Sequence, residues 1–174
     1  LTLTGGNYQD GTGGIYVSRL GILLVNNCTF TGFIAGSGGV LGFDRGVVAV
    51  FKNSIFRDNV ATQGGVLCLM PPASSDGDEN IGAITHIVFE RCTFSNNRAT
   101  DGAVVIMQYG KVSFKHCILD NNRADMGDAS EGGVACIRTL QDARYYLDDD
   151  VDATPLMDGV NATAVFFEDC TITN

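Results

Sequence analysis

The chain has 174 residues, of which 45% are hydrophobic, and it contains 22 glycines and three prolines. Its formal net charge is −9. This acidic balance argues against nucleic acid as a partner, because phosphates are bound by clustered Lys and Arg. No apolar run approaches the ~20 residues of a membrane span, so the composition favours one domain with a continuous core.

The sequence is built on a repeat of about 25 residues. In its clearest copy, Cys92 lies two residues before Phe94, and Asn97, Ala99 and Gly102 lie three, five and eight residues after it. The same offsets, with small departures, start from Phe30, Phe56 and Leu119, with a partial copy at Ile172 and a looser one at Leu3. A repeat of this size predicts a solenoid.

Two spacings between these copies are longer than the others. Phe30 and Phe56 are 26 residues apart, whereas Phe56 and Phe94 are 38 apart and Leu119 and Ile172 are 53 apart. The difference predicts two inserts, at about 70–84 and about 139–162, which leave the coil at the same point. We therefore expect residues 1–174 to form one solenoid segment of about five coils of 25–26 residues. It begins and ends within a repeat, which suggests a longer parent protein.

Each coil contains three short strand-like runs and no helical pattern. Ahead of the Cys position, alternate residues such as Ile87 and Phe89 are apolar, so one face points inward. The Phe of each coil should stack on the Phe of the next. Asn97 and its equivalents should occupy a sharp left-handed corner and hydrogen-bond along a ladder. The pattern predicts an all-β fold, a parallel β-helix with coils ~4.8 Å apart.

The motif Phe-x-x-Asn-x-Ala, followed by Gly-Gly-Ala or Gly-Gly-Val, resembles the repeat of right-handed parallel β-helix surface proteins. The passenger segments of chlamydial polymorphic outer-membrane proteins carry such repeats, as do surface proteins of protists and algae. The resemblance covers nearly the whole chain apart from the inserts. It implies a right-handed coil, but the wider group includes adhesins, structural proteins and polysaccharide-cleaving enzymes, so it does not fix the function.

The cysteines fall into two columns of the repeat. Cys28, Cys92, Cys117 and Cys170 share one column, in which Ser54 is the exception, and Cys68 and Cys136 share another with Ile106. One interpretation is a buried ladder of unbridged thiols that pack as small hydrophobes. The other is a disulfide, Cys92–Cys117 or Cys117–Cys170, since neighbouring coils lie within disulfide reach. The sequence contains no C-x-x-C pair, so it does not indicate a zinc site.

Two glycosylation sequons favour a secreted or surface-displayed protein. They begin at Asn27 and Asn161 and fit the N-x-[ST] pattern. Such triplets also arise by chance, so the expectation of an extracellular or cell-surface location rests on them only in part.

A polar column runs along the outside of the strand that precedes the Cys position. Lys52, Glu90, Lys115 and Glu168 alternate in sign from coil to coil. Either they form a polar binding strip or, as we favour, a cross-strand charge ladder that fixes register. Arg98 and Arg123 should stack with like sign, and the nearest acids, Asp101 and Asp125, should pair with them.

The two inserts carry the one cofactor hypothesis, a Ca²⁺ site. Each has the spacing D-x-D-x-[DN], which can place several oxygens around a hard cation. The candidate ligands are Asp76, Asp78, Asn80, Asp148, Asp150 and Asp152. The EF-hand pattern is not met, because Ile81 and Ala153 replace its glycine, and a solvated acidic loop is the alternative.

The exposed strand positions do not suggest catalysis. Glycoside hydrolysis needs two carboxyl groups across a cleft, but these positions hold Leu24, Val50, Val88, Ser113 and Phe166. The strand after Gly-Gly is apolar on both faces, and one face should point outward. We predict that the outward face is an interface stripe, which is either bound by a partner or covered by the inserts. The stripe consists of Leu41, Leu67, Val105 and Ala135.

These observations predict a non-enzymatic structural or adhesive element that mediates assembly or surface contact. Its partners would be other copies, another matrix or surface protein, or glycans. The alternative is a pectate-lyase-like carbohydrate-active domain with its site in the acidic inserts.

Overall fold

A computed structural model describes residues 1–69, 85–127, 130–138 and 163–173. Within these ranges the regular structure consists of short β-strands, and no helix is present. The strands follow one another in a fixed order that repeats, so one turn of the chain, here called a coil, contains four strands. This confirms the all-β prediction.

The strand bounds show the repetition. Coil 1 contains β1 (Thr2–Thr4), β2 (Asn7–Tyr8), β3 (Ile15–Val17) and β4 (Ile22–Asn26). Coil 2 contains β5 (Thr29–Thr31), β6 (Ile34–Ser37), β7 (Leu41–Phe43) and β8 (Val48–Lys52). Coil 3 contains β9 (Ile55–Arg57), β10 (Val60–Gln63), β11 (Leu67–Leu69) and β12 (His86–Glu90). Coil 4 contains β13 (Thr93–Ser95), β14 (Arg98–Asp101), β15 (Val105–Met107) and β16 (Lys111–Lys115). Coil 5 contains β17 (Ile118–Asp120), β18 (Arg123–Ala124), β19 (Ala135–Ile137) and β20 (Ala164–Glu168), and β21 (Thr171–Thr173) follows.

Equivalent strands pair in parallel to form four stacked sheets. Sheet 1 is β1-β5-β9-β13-β17-β21, sheet 2 is β2-β6-β10-β14-β18, sheet 3 is β3-β7-β11-β15-β19 and sheet 4 is β4-β8-β12-β16-β20. This is the arrangement of a parallel β-solenoid. The prediction of three strands per coil is wrong. Sheet 2 was not predicted from the sequence because its strands, such as Val60–Gln63, do not alternate between apolar and polar residues.

The core is built on two columns of stacked aromatic rings. Phe30, Phe56 and Phe94 stack in sheet 1, with ring centroids 4.9 and 5.0 Å apart. A second column in sheet 4 stacks Phe51, Phe89, Phe114 and Phe167 at 5.0 to 5.2 Å. The columns meet edge to face, a favoured aromatic geometry, with Phe89 and Phe94 5.1 Å apart. The predicted interior column is confirmed for Phe30, Phe56, Phe94 and Leu119, which are at most 1% exposed, whereas Ile172 continues the column in register but is 49% exposed.

Buried asparagines form a hydrogen-bonded ladder at the corner between sheets 1 and 2. Asn59, Asn97 and Asn122 are buried. Asn59 Nδ2 donates to Asn97 Oδ1 at 2.9 Å, and Asn97 Nδ2 donates to Asn122 Oδ1 at 2.8 Å. The Nδ2 of Asn97 also donates to Phe56 O at 3.0 Å. The predicted ladder is therefore confirmed, and it satisfies amides that would otherwise be buried without partners.

The predicted left-handed backbone lies one residue earlier than expected. Asp58, Asn96 and Asn121 have φ of 58°, 55° and 51°, whereas the ladder asparagines are absent from the positive-φ residues. The reason is that the turn is made before the ladder residue, so its side chain can point inward. The outer corner residue carries the backbone strain, and the residue after it carries the buried hydrogen bonds.

The two predicted inserts fall within connections from sheet 3 to sheet 4. Residues 70–84 lie between β11 and β12, and residues 139–162 lie between β19 and β20. Both inserts lie outside the described residues.

Candidate functional site

The outer side of sheet 4 exposes apolar side chains over several coils. We name this surface the apolar face and define it by Ile22, Leu24, Val48, Val50 and Val88. Ile22, Leu24 and Val48 are 76%, 73% and 43% exposed. These side chains point outward because side chains alternate along a strand and those of the neighbouring residues point into the core. Water-facing strand positions are normally polar, but the positions of this face are occupied by aliphatic side chains.

The apolar face changes character along the solenoid. In coil 4 the equivalent outward position is Ser113, which is 9% exposed, and in coil 5 it is Phe166, which is 41% exposed. Register pairs Ser113 with Val88 on one side and with Phe166 on the other. A small side chain therefore lies between two larger ones. At the other end of the face, a shallow depression of about 260 Å³ is lined by Leu24, Val25, Asn26, Val50 and Lys52.

A column of alternating charges borders the apolar face. Lys52 Nζ lies 2.7 Å from Glu90 Oε2, and Lys115 Nζ lies 2.9 Å from Glu168 Oε2. These contacts confirm the predicted cross-strand charge ladder. The hydrogen bond from Lys52 lowers the pKa of Glu90, and the hydrogen bond to Glu168 raises the pKa of Lys115.

The like-charged arginines of sheet 2 are in register as predicted. Arg98 pairs with Arg123 across the sheet. Arg98 Nη2 lies 3.0 Å from Asp125 Oδ1, which confirms one of the two expected acid partners. Asp101 pairs instead with Arg138, whose Nη2 lies 2.8 Å from Asp101 Oδ2.

The predicted interface stripe is not on the outside. Leu41, Leu67 and Val105 are at most 1% exposed and belong to the main core cluster, and Ala135 packs against that cluster. Their assignment to an outward face is wrong. The preceding column, which includes Val66 and Val104, is also in the core.

A local bend explains why two successive residues both point inward. The amides of Val66 and Leu67 donate to the same acceptor, Val104 O, at 3.1 and 2.8 Å. The amides of Val104 and Val105 do the same toward Val134 O, both at 3.0 Å. Two residues thus oppose one, as in a β-bulge, and strict alternation is lost at this point.

The outward column of sheet 3 is apolar but buried in coils 3 to 5, whereas its coil 1 member, Tyr16, is 60% exposed. Cys68, Ile106 and Cys136 form a separate hydrophobic cluster and are 6%, 0% and 6% exposed. The Sγ of Cys136 donates to Glu131 Oε2 at 3.8 Å, and burial raises the pKa of its thiol. The repeat places these three residues in one column but does not indicate which face they occupy.

Asp101 lies beside this cluster as a buried acid. It is 6% exposed, and in the described part of the chain its Oδ1 has no hydrogen-bond partner. Its Oδ2 bonds Arg138, which also lies 3.8 Å from Glu131 Oε2. Because its charge is compensated by Arg138, we interpret Asp101 as an ion-paired structural acid.

The main cysteine column has a backbone-bonding role that sequence reasoning missed. All six cysteines lie in the described residues, and none forms a disulfide, so the unbridged alternative is the one observed. Cys92, Cys117 and Cys170 are the disulfide candidates, and the Sγ of each lies within hydrogen-bond distance of the carbonyl two residues earlier, at 3.5, 3.3 and 3.4 Å. Each Sγ also lies near a carbonyl of the neighbouring coil, those of Phe51, Phe89 and Phe114, at 3.5, 3.4 and 3.3 Å. Ser54 makes the equivalent bond to Lys52 O at 2.7 Å, which explains why serine replaces cysteine there.

The remaining predicted sites are tested only in part. Asp76, Asp78, Asn80, Asp148, Asp150 and Asp152, the candidate Ca²⁺ ligands, and Asn161 lie outside the described residues. Asn27 is exposed, with φ of 55°. The described ranges contain no group of three or more His, Cys, Asp and Glu side chains placed to hold a metal.

Comparisons with family models, curated proteins and solved structures found no match. The resemblance to chlamydial and protist surface-protein repeats therefore stays an expectation. A helix able to span a membrane is absent from the described part of the chain.

Proposed function

We propose that this chain is a non-enzymatic structural or adhesive element of a secreted or cell-surface protein, built as a right-handed parallel β-helix. The observation that supports the proposal is the apolar face, where Ile22 and Leu24 are 76% and 73% exposed. Exposed apolar surface that continues over neighbouring strands is typical of a contact surface. The stacked aromatic columns provide the rigid scaffold that such a surface needs.

The charge distribution supports contact rather than catalysis. The carboxylates nearest the apolar face, Glu90 and Glu168, are each held by a lysine. The face itself offers aliphatic side chains and Ser113, which cannot act as an acid–base pair. Binding through such a surface would rest on burial of hydrocarbon, with the charges setting orientation.

The proposal is tested by combining a catalytic assay with a contact assay. Incubation with a panel of polyuronic acids, with and without Ca²⁺, should give no unsaturated product and no new reducing ends. In parallel, retention on a phenyl-substituted matrix should be strong for the wild type and reduced for Leu24→Asp combined with Val48→Asp. Ile55→Asp combined with Ile118→Asp is the matched control, since these side chains are 39% and 49% exposed but lie on sheet 1.

Two outcomes would contradict the proposal. Polyuronate cleavage would favour the carbohydrate-active alternative. Equal loss of retention in the sheet 1 control and in the sheet 4 variant would mean that the apolar face has no special contact role.

A further inference from the structure

We propose that the occupant of the apolar face is a second copy of this chain, packed sheet 4 against sheet 4 with the order of coils reversed. The inference rests on the proposed function, because it names the partner of the same surface. It is carried by the charge column Lys52, Glu90, Lys115 and Glu168, whose alternating sign is self-complementary only for certain relative orientations of two copies.

Two sheets that face each other around a two-fold axis have two simple arrangements. If the axis runs along the strands, coil order is reversed and each outward column faces its own counterpart. If the axis runs along the solenoid, coil order is kept and the charge column faces the opposite edge of the sheet. The two edges differ in composition, so the structure distinguishes the two arrangements.

The second arrangement is unfavourable. It places Lys115 opposite Lys111 of the second copy, and Lys52 opposite the apolar Val48. Both lysines of the first pair lie on β16 at the two ends of its outward side. Like charges brought together across an interface cost binding energy.

The first arrangement is complementary when β8 of one copy faces β12 of the other. Lys52 then faces Glu90 of the second copy, and Glu90 faces Lys52. The existing Lys52–Glu90 pair, with atoms 2.7 Å apart, becomes half of a four-charge cluster of alternating sign. Its lysine and glutamate side chains are 46% and 22% exposed, so both remain accessible to a partner.

The apolar residues match in the same register. When β8 faces β12, β4 faces β16, which places Leu24 opposite Ser113 of the second copy. Leu24 is 73% exposed, and Ser113 is the small residue between Val88 and Phe166. A large side chain thus meets a small one, and Val50 meets Val88. The register buries Leu24 and pairs Lys52 with Glu90 at the same time, while Ile22 lies opposite Lys111 of the second copy.

The size of the face sets the expected strength. Four facing strands at about 4.8 Å spacing and about 3.3 Å per residue span roughly 19 by 16 Å on each copy. Contacts of this size lie at the weak end of protein interfaces. The association should therefore be reversible and visible only as concentration rises.

The test is sedimentation of charge-swapped variants, alone and mixed. The wild type should self-associate as its concentration is increased. Lys52→Glu alone places two glutamates opposite two glutamates, and Glu90→Lys alone places two lysines opposite two lysines. Each should raise the dissociation constant at least ~tenfold. An equimolar mixture of the two variants should regain association, because the chain with acids at both positions then faces the chain with lysines at both.

The mixture makes the register falsifiable. If β8 instead faced β20, the glutamate introduced by Lys52→Glu would meet Glu168 and the mixture would stay dissociated, and that result would overturn the proposal. A wild type that sediments as a monomer at every concentration would also overturn it. Leu24→Asp should abolish association without altering the ladder. Circular dichroism and thermal unfolding of each variant show whether loss of association reflects loss of fold.

The outcome is separable from the proposed function. A monomeric wild type that still binds the phenyl matrix through Leu24 and Val48 would remove the second copy as partner and leave the contact surface in place. Cleavage of polyuronic acids would remove the proposed function whatever the association state.

Discussion

The outer sides of sheets 3 and 4 both carry apolar columns, which are buried in coils 3 to 5 of sheet 3 and most exposed in coil 1 of sheet 4. In sheet 3 the outward column of Cys68, Ile106 and Cys136 is at most 6% exposed, whereas in sheet 4 Ile22 and Leu24 are 76% and 73% exposed. Coil position contributes to the difference, since Ile22 and Leu24 lie on the edge strand β4 and Tyr16, in coil 1 of sheet 3, is also 60% exposed. The difference between the two columns shows that an apolar outward column is compatible with either a core or a contact surface, and that neighbouring structure decides between them.

The largest effect is expected from a charge placed in the buried outward column of sheet 3. Ile106→Asp should lower the free energy of unfolding by about 4 kcal/mol or more, because Ile106 is fully buried and packs with Cys68 and Cys136, which cannot compensate a carboxylate. Urea unfolding followed by circular dichroism measures the loss. Ile106→Val, which removes one methylene, should cost only ~0.5–1.5 kcal/mol. A loss below ~1 kcal/mol for the aspartate variant would show that the column is accessible to water.

The aromatic interior provides a reference for what full burial is worth. Phe94→Ala should lower the free energy of unfolding by ~3–5 kcal/mol, since the ring is fully buried between Phe56 and Leu119. Phe94→Leu keeps most of the volume and serves as the control. If the alanine variant were as stable as the leucine variant, the ring would not be part of the stacked core.

An aspartate on the exposed apolar face of sheet 4 should have little effect on stability. Leu24→Asp should change the free energy of unfolding by no more than ~0.5 kcal/mol, because the side chain is 73% exposed. The measurement is the same urea titration, performed at a low protein concentration at which self-association is absent. A large destabilisation would mean that Leu24 packs against the chain itself, and the contrast between the two sheets would disappear.

The smallest effect concerns the charge ladder at the edge of the open face. Lys52 lowers the pKa of Glu90 through its hydrogen bond, so Lys52→Met should raise that pKa toward the ordinary value for glutamate. Because the folded-state pKa is depressed, the pair stabilises the fold above the unfolded-state pKa, and this contribution is lost as pH falls through the folded-state value. Carboxyl NMR titration measures the change. Glu168, which is held by Lys115, should keep its lowered pKa and acts as the internal control.

Much of the scaffold could be predicted because it depends on side chains repeated at constant spacing. The Phe column, the asparagine ladder and the Lys52–Glu90 pair follow from stacking equal coils, in which identical positions must meet. Sheet 2 could not be predicted, because strands such as Arg98–Asp101 have no period-two pattern. The orientation of Leu67 could not be predicted either, since it depends on two amides sharing the carbonyl of Val104.

The burial of the outward column of sheet 3 was harder to predict than the scaffold for a physical reason. The exposure of Leu24 follows from the alternation along its strand, but the burial of Ile106 depends on what lies above sheet 3, and a repeat pattern carries no information about that. The contact of each thiol in the main cysteine column with the carbonyl two residues earlier was also not predicted. Its one signal was Ser54, a hydroxyl that replaces a thiol in an otherwise constant column.

The cysteine column gives the molecule a set of internal position markers along its axis. Cys92 and Cys117 are at most 1% exposed, whereas Cys28 and Cys170 are half-buried. An alkylating reagent can reach the two central thiols only when the coil around them opens, but it can reach the outer two through smaller excursions. The order in which the four thiols are alkylated would therefore report how far fraying travels inward from each end, coil by coil, without any label added to the chain.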